Sequence, residues 1–77
     1  SSLVSPREVF KRAILQNAAA IVLAHNHPST VPEPSNDDVT VTKKLIKSGK
    51  ILGIDIVDHI IIGDKDNYIS MKERNLI

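Results

Sequence analysis

Ala18-Ala19-Ala20-Ile21-Val22-Leu23-Ala24 runs without a polar interruption into His25-Asn26-His27, and the reading of this stretch decides the fold. The run is too short for an independent helix and has the ordinary length of a strand, with β-favouring residues at its centre. A continuous apolar run, as opposed to an alternating one, predicts a strand buried on both faces. Pro28, Pro32 and Pro34 then exclude regular structure until Ser35.

Upstream, Ser5-Pro6-Arg7-Glu8 is a helix start, with Ser5 as N-cap, Pro6 in the first turn and Glu8 placed to complete a capping box. Val9, Phe10, Ala13 and Ile14 recur at helical spacing, which predicts a helix over about 6–17 ending at Asn17, a residue that tolerates left-handed geometry. Downstream, Ser35 opens a second helix. Val41 with Leu45 and Val39 with Ile46 mark its apolar side, Lys43, Lys44 and Lys47 face water, and Gly49 is the expected stop. Ile54 to Ile62 reads as a second strand, and Tyr68-Ile69 pairs with it as a hairpin across Asp64-Lys65-Asp66-Asn67. Ser70-Met71-Lys72-Glu73 repeats the capping pattern and predicts a short terminal helix. The result is an α/β fold in which a mixed sheet is flanked by helices, forming one domain over 1–77. A β-α-β unit spans 19–62.

Composition narrows the function classes. The chain has 77 residues, 42% of them hydrophobic and 25% charged, which is ordinary globular usage. Its net charge of +1 carries no electrostatic footprint of nucleic-acid binding, so direct DNA contact is not expected. There is no cysteine, which excludes a disulfide scaffold and a thiol nucleophile and fits a reducing, cytoplasmic setting. No apolar run approaches the roughly 18–20 residues of a membrane span. The only methionine is Met71, so Ser1 reads as an internal position of a longer chain.

The chemistry concentrates between His25 and Asp38. His25 and His27 stand two apart at a strand exit, so their imidazoles leave on one face and can converge on one ion. Asp38 sits one turn into the following helix, where its carboxylate can swing toward the strand end. Ser35-x-x-Asp38 also reads as a plain capping box, and a His-x-His pair alone is weak. Their combination across a proline-stiffened loop points to a metal site: two imidazoles and a carboxylate form a zinc set with a position left for water. A metal there lowers the pKa of its water toward 7. Elsewhere, His59 reads as structural or exposed. Asp58 lies on the more apolar parity of its strand and needs a partner: a salt bridge, a turn hydrogen bond or a metal-bound histidine. The letters His-Asn-His do not make an HNH nuclease, because that signature spreads its three residues widely over two strands and a helix, and here they are consecutive.

The spacing His25-x-His27, seven residues, Ser35, two residues, Asp38 resembles the JAMM/MPN metalloprotease motif. Pro6-Arg7-Glu8-Val9-Phe10-Lys11, His25-Asn26-His27-Pro28-Ser29, Gly49-Lys50-Ile51-Leu52-Gly53-Ile54 and Asp58-His59-Ile60-Ile61-Ile62-Gly63 resemble the bacterial RadC family of that superfamily, across nearly the whole chain. The resemblance implies a cytidine-deaminase-like architecture whose first strands lie upstream of this segment. It implies Zn2+ held by His25, His27 and Asp38, with Ser35 as a catalytic residue that stabilises the tetrahedral intermediate of amide hydrolysis. It also implies a general-base glutamate on an upstream strand, and neither Glu8 nor Glu33 matches that position. Thr30 stands where RadC proteins usually carry glycine. The expected substrate is a peptide, isopeptide or related amide. The competing expectations are a non-catalytic metal-binding module associated with DNA repair and a metal-free scaffold. An unpaired edge on the Ile21–Leu23 strand would favour self-association.

Overall fold

The computed structural model describes residues 5–27 and 32–77, so the expectations placed on Pro28 and Thr30 lie outside the described residues. Pro6 at the first turn and Ser5, whose Oγ accepts the Glu8 N–H at 3.3 Å, start α1 (Pro6–Leu15). The helix closes where Asn17 takes φ +56°, with the Ala18 N–H donating to the Ala13 carbonyl and the Asn17 N–H to that of Ile14. The expected left-handed role of Asn17 is thus present. β1 (Ala20–Asn26) leads to α2 (Asn36–Leu52), β2 (Asp55–Ile62) and β3 (Tyr68–Ser70). Among the described residues no helix is long and apolar enough to cross a membrane.

The sheet order is β1-β2-β3, with β1 and β2 parallel and β2 and β3 antiparallel. This is the mixed sheet of an α/β fold expected from the sequence. The hairpin turn also lies where expected, with Lys65 at φ +51° and Asp66 at φ +65°. Val9, Phe10 and Ala13 of α1, Leu23 of β1, Leu45 of α2, Ile54 and Ile56 form one core cluster.

Four expectations need correction. Gly49 does not stop α2. It lies inside the helix on the buried stripe Asp38, Thr42, Leu45, Gly49. A Cβ there would stand 2.3 Å from the Ile54 carbonyl oxygen, so glycine is required by close backbone approach. The stop is Gly53, at φ +76°, with the Ile54 N–H donating to the Gly49 carbonyl at 2.8 Å. Second, β1 is buried on one face only: Leu23 is buried, while Val22 is 57% exposed. Among the described residues only β2 pairs with it, and the core cluster with α1 and α2 lies on its inner side.

Third, the terminal helix is a single turn. Ser70 Oγ does accept the Glu73 N–H at 3.0 Å, but Asn75 at φ +57° closes the turn, with the Leu76 N–H donating back to the Met71 carbonyl. Fourth, the faces of β2 are not those of a regular strand. Ile21 pairs with Ile56, yet Val22 pairs with Asp58, so Val57 is an extra residue in a β-bulge. The bulge reverses which parity faces the core. Ile54 and Ile56 are buried before it, and His59 and Ile61 after it.

Candidate metal centre

The bulge delivers His59 beneath the exit of β1. In the parallel register His59 stands opposite Leu23 and His25 opposite Ile61, all on the inner face. His25 Nδ1 lies 2.8 Å from His59 Nε2, and His59 Nδ1 lies 2.7 Å from Thr42 Oγ1. Thr42 in turn donates its hydroxyl to the Asp38 carbonyl at 2.7 Å. His59 is fully buried, so of the two readings of this residue the structural one holds and the exposed one fails. Burial first, and the neighbouring His25 second, push its pKa down to about 4, so it is neutral at physiological pH. Burial also lowers His25, against an opposing pull from Asp38.

His27 follows β1 and is held by its backbone N–H, which donates to the Ile62 carbonyl at 2.9 Å. Its ring meets that of His25 edge-on, with centroids 4.8 Å apart. Asp38 comes from the first turn of α2. Its N–H donates to Ser35 Oγ and its Oδ2 accepts the Ser35 N–H, both at 3.0 Å, completing a capping box. The same Oδ2 lies 3.6 Å from His27 Nε2. Burial would raise the Asp38 pKa, but the Ser35 backbone and hydroxyl bonds, with His25 and His27 nearby, outweigh it and hold the carboxylate below its ordinary value.

One donor atom each from His25, His27 and Asp38 falls within 4.8 Å of the others, close enough to share one ion. The donor set fits a metal for a further reason. His25 Nε2 is buried with no hydrogen-bond partner among the described residues. Leaving such an atom unpaired costs about 1–3 kcal/mol, and a cation beside it relieves that cost.

A family model described as the RadC-like JAB domain matches residues 1–76. The chain belongs to the RadC-like JAB domain family. It is 53% identical over 77 residues to a UPF0758 protein of Methanosarcina acetivorans, covering all of this chain and 33% of that protein. It is 58% identical to a UPF0758 protein of Moorella thermoacetica, again covering all of this chain and 33% of the relative. A UPF0758 protein of Desulfitobacterium hafniense is 57% identical, with 34% of its length covered. The chain thus spans about a third of the length of these relatives.

Within this RadC-like domain the structure brings His25, His27 and Asp38 together as the sequence suggests, with Ser35 bonded to Asp38 at the rim. Asp58 stands apart. Its carboxylate accepts from the Ser70 hydroxyl, from the Lys72 N–H at 3.0 Å and from the His59 N–H at 2.7 Å, so it ties down the terminal turn and orients no imidazole. The groups hydrogen-bonded in series behind His25 are His59 and Thr42, which sequence reading did not assign to the site. The four-residue spacing from Asp38 to Thr42 was a usable signal, because it places both on one helix face. The bulge that turns His59 inward has no comparable signature.

Proposed function

We propose that this domain is the metal-binding portion of a zinc-dependent hydrolase of the JAMM/MPN type, acting on a peptide, isopeptide or related amide bond. The observation that carries this reading is the buried His25 Nε2, which has no hydrogen-bond partner among the described residues, on a side chain that gathers with His27 and Asp38 at the end of a strand. His25, His27 and Asp38 would hold the ion, whose contribution is Lewis acidity toward water and a carbonyl oxygen. The protein's own residues do the positioning. The capping box fixes the Asp38 carboxylate with one oxygen turned to His27. Ser35 Oγ accepts from the Asp38 N–H and retains its own hydroxyl proton, which it can donate to a substrate oxygen at the rim. Strand geometry sends His25 and His27 out on one face.

A second reading, a metal-binding module without catalysis and associated with DNA repair, is favoured by a different observation. Glu33 is held by Arg74, whose Nη2 lies 3.2 Å from both carboxylate oxygens, and Glu8 is exposed at the start of α1. Neither is presented to the cluster as a general base. Zinc stoichiometry of the wild type and His27→Ala tests the metal assignment: about one ion per chain is expected for the first and loss of tight binding for the second. Equal zinc content in both would remove it.

A further inference from the structure

The contacts behind His25 determine which of its nitrogens carries the proton. A hydroxyl has one proton to donate, and a carbonyl can only accept. Thr42 Oγ1 lies 2.7 Å from the Asp38 carbonyl oxygen, so the Thr42 proton is committed to that oxygen. At 2.7 Å on its other side, Thr42 Oγ1 must therefore accept, and His59 Nδ1 must carry a hydrogen. His59 is fully buried and among the described residues its ring hydrogen-bonds no carboxylate, so the ring carries one hydrogen only, and its bare Nε2 accepts at 2.8 Å from His25 Nδ1. His25 is thereby protonated at Nδ1 and bare at Nε2, the nitrogen left buried and without a partner among the described residues.

We propose that Thr42 and His59 are positioning residues that lock His25 into the tautomer presenting the Nε2 lone pair to the ion; this rests on the metal-site reading above. The chain runs from the Asp38 carbonyl through Thr42 and His59 to His25, so it begins and ends on residues of the cluster itself. It ties α2 to β1 through β2, and it couples the backbone that carries one ligand to the ring orientation of another. Groups that orient a metal-binding histidine in this way contribute about 10–100-fold to metal affinity. A carboxylate or a backbone carbonyl more commonly receives the second imidazole proton. Here a neutral imidazole receives it, which adds no charge behind the ligand.

The test uses the 77-residue chain, first free of metal and then with Zn2+ alone. Long-range proton–nitrogen NMR correlation distinguishes protonated from bare ring nitrogens. At neutral pH the wild type is expected to show His25 as a single Nδ1–H tautomer. This measurement needs no variant and stands whatever a substitution does to folding. Competition with a chromophoric chelator then gives Zn2+ affinity for Thr42→Val and Thr42→Ser, with circular dichroism confirming the fold. Thr42→Val should mix the His25 tautomers and weaken Zn2+ binding about 10–100-fold, whereas Thr42→Ser should retain both properties. Packing alone predicts the reverse order, since valine keeps the shape of threonine and serine loses a methyl group. A wild-type His25 protonated at Nε2, or a Thr42→Val chain that binds Zn2+ as tightly as Thr42→Ser, would overturn the proposal. A wild type with bare Nε2 that binds no Zn2+ would instead strike the metal reading and leave the tautomer assignment standing.

Discussion

Asp38 and Ser35 exchange two hydrogen bonds of 3.0 Å, and the oxygen of Asp38 that completes the exchange is also the one nearest His27. The capping oxygen thus also faces the candidate metal cluster, and a cap role and the proposed ligand role separate only by linkage. As a cap, Asp38 contributes about 0.5–2 kcal/mol whether or not metal is present. As a ligand it contributes further stability only when an ion binds the folded state. Asp38→Ala should accordingly lower the melting temperature with chelator present, and lower it more with Zn2+. Melting curves of both proteins under the two conditions check this, and equal losses in both would leave Asp38 a cap alone.

Gly49 predicts a departure from helix propensity. Alanine is favoured over glycine in a helix interior by about 1 kcal/mol, so propensity says that Gly49→Ala stabilises α2. The Ile54 carbonyl, 2.3 Å from the position of the new Cβ, says the opposite, because it is backbone leading into β2 and cannot rotate away. We expect a net destabilisation of about 1–3 kcal/mol, read from denaturant unfolding against wild type. A stabilised variant would show that α2 and β2 separate freely at this point.

The outline of the fold was legible in the sequence because the local signals were strong. Ser35 and Ser5 cap helices, Asn17 closes one, and the hairpin turn lies between Gly63 and Tyr68. What failed did so for nonlocal reasons. Gly49 looked like a helix end because its actual constraint, the approach of Ile54, comes from tertiary packing. His59 could not be assigned because one extra residue, Val57, reverses the parity of everything after it, and alternation is the only evidence of facing a strand offers. The clustering of His25, His27 and Asp38 was legible because the strand exit and the helix start each carry part of it at fixed local spacing. Its supporting layer was not, because it depends on β2 register.

Asp58 predicts an acid-side stability loss. Burial tends to raise its carboxyl, but the bonds from Ser70, Lys72 and His59, with the Lys72 charge, dominate and hold its pKa below the ordinary 3.8. A carboxyl with a depressed folded-state pKa stabilises fully above the unfolded value and loses that contribution as pH falls through the folded one. Asp58→Ala should therefore cost about 1–3 kcal/mol near neutrality. The gap to wild type should hold down to about pH 5 and close below about pH 4. Urea unfolding across this range checks both the size and the sign; a gap that persists unchanged at the acid end would mean that Asp58 acts by packing and not by charge.

The strongest test of the hydrolase reading is a prediction of weak activity. A general base contributes about 10²–10⁴-fold, because amide cleavage requires one proton taken from water and another delivered to the departing amine. Asp38 cannot supply this service while its Oδ2 is held by the Ser35 N–H and turned to His27. Glu33 is engaged by Arg74 on an exposed surface, and Glu8 is exposed in the first turn of α1, where its N–H donates to Ser5. The 77-residue chain loaded with Zn2+ should thus cleave peptide and isopeptide substrates at least about 100-fold more slowly than a protein extended to the length of its relatives. Glu33→Gln and Glu8→Gln should leave the residual rate unchanged. Rapid cleavage by the short chain that disappears in Glu33→Gln would place the base in the loop after His27 and break the parallel with the JAMM arrangement. No cleavage by either length, with zinc bound and His25 intact, would carry the weight to the non-catalytic module.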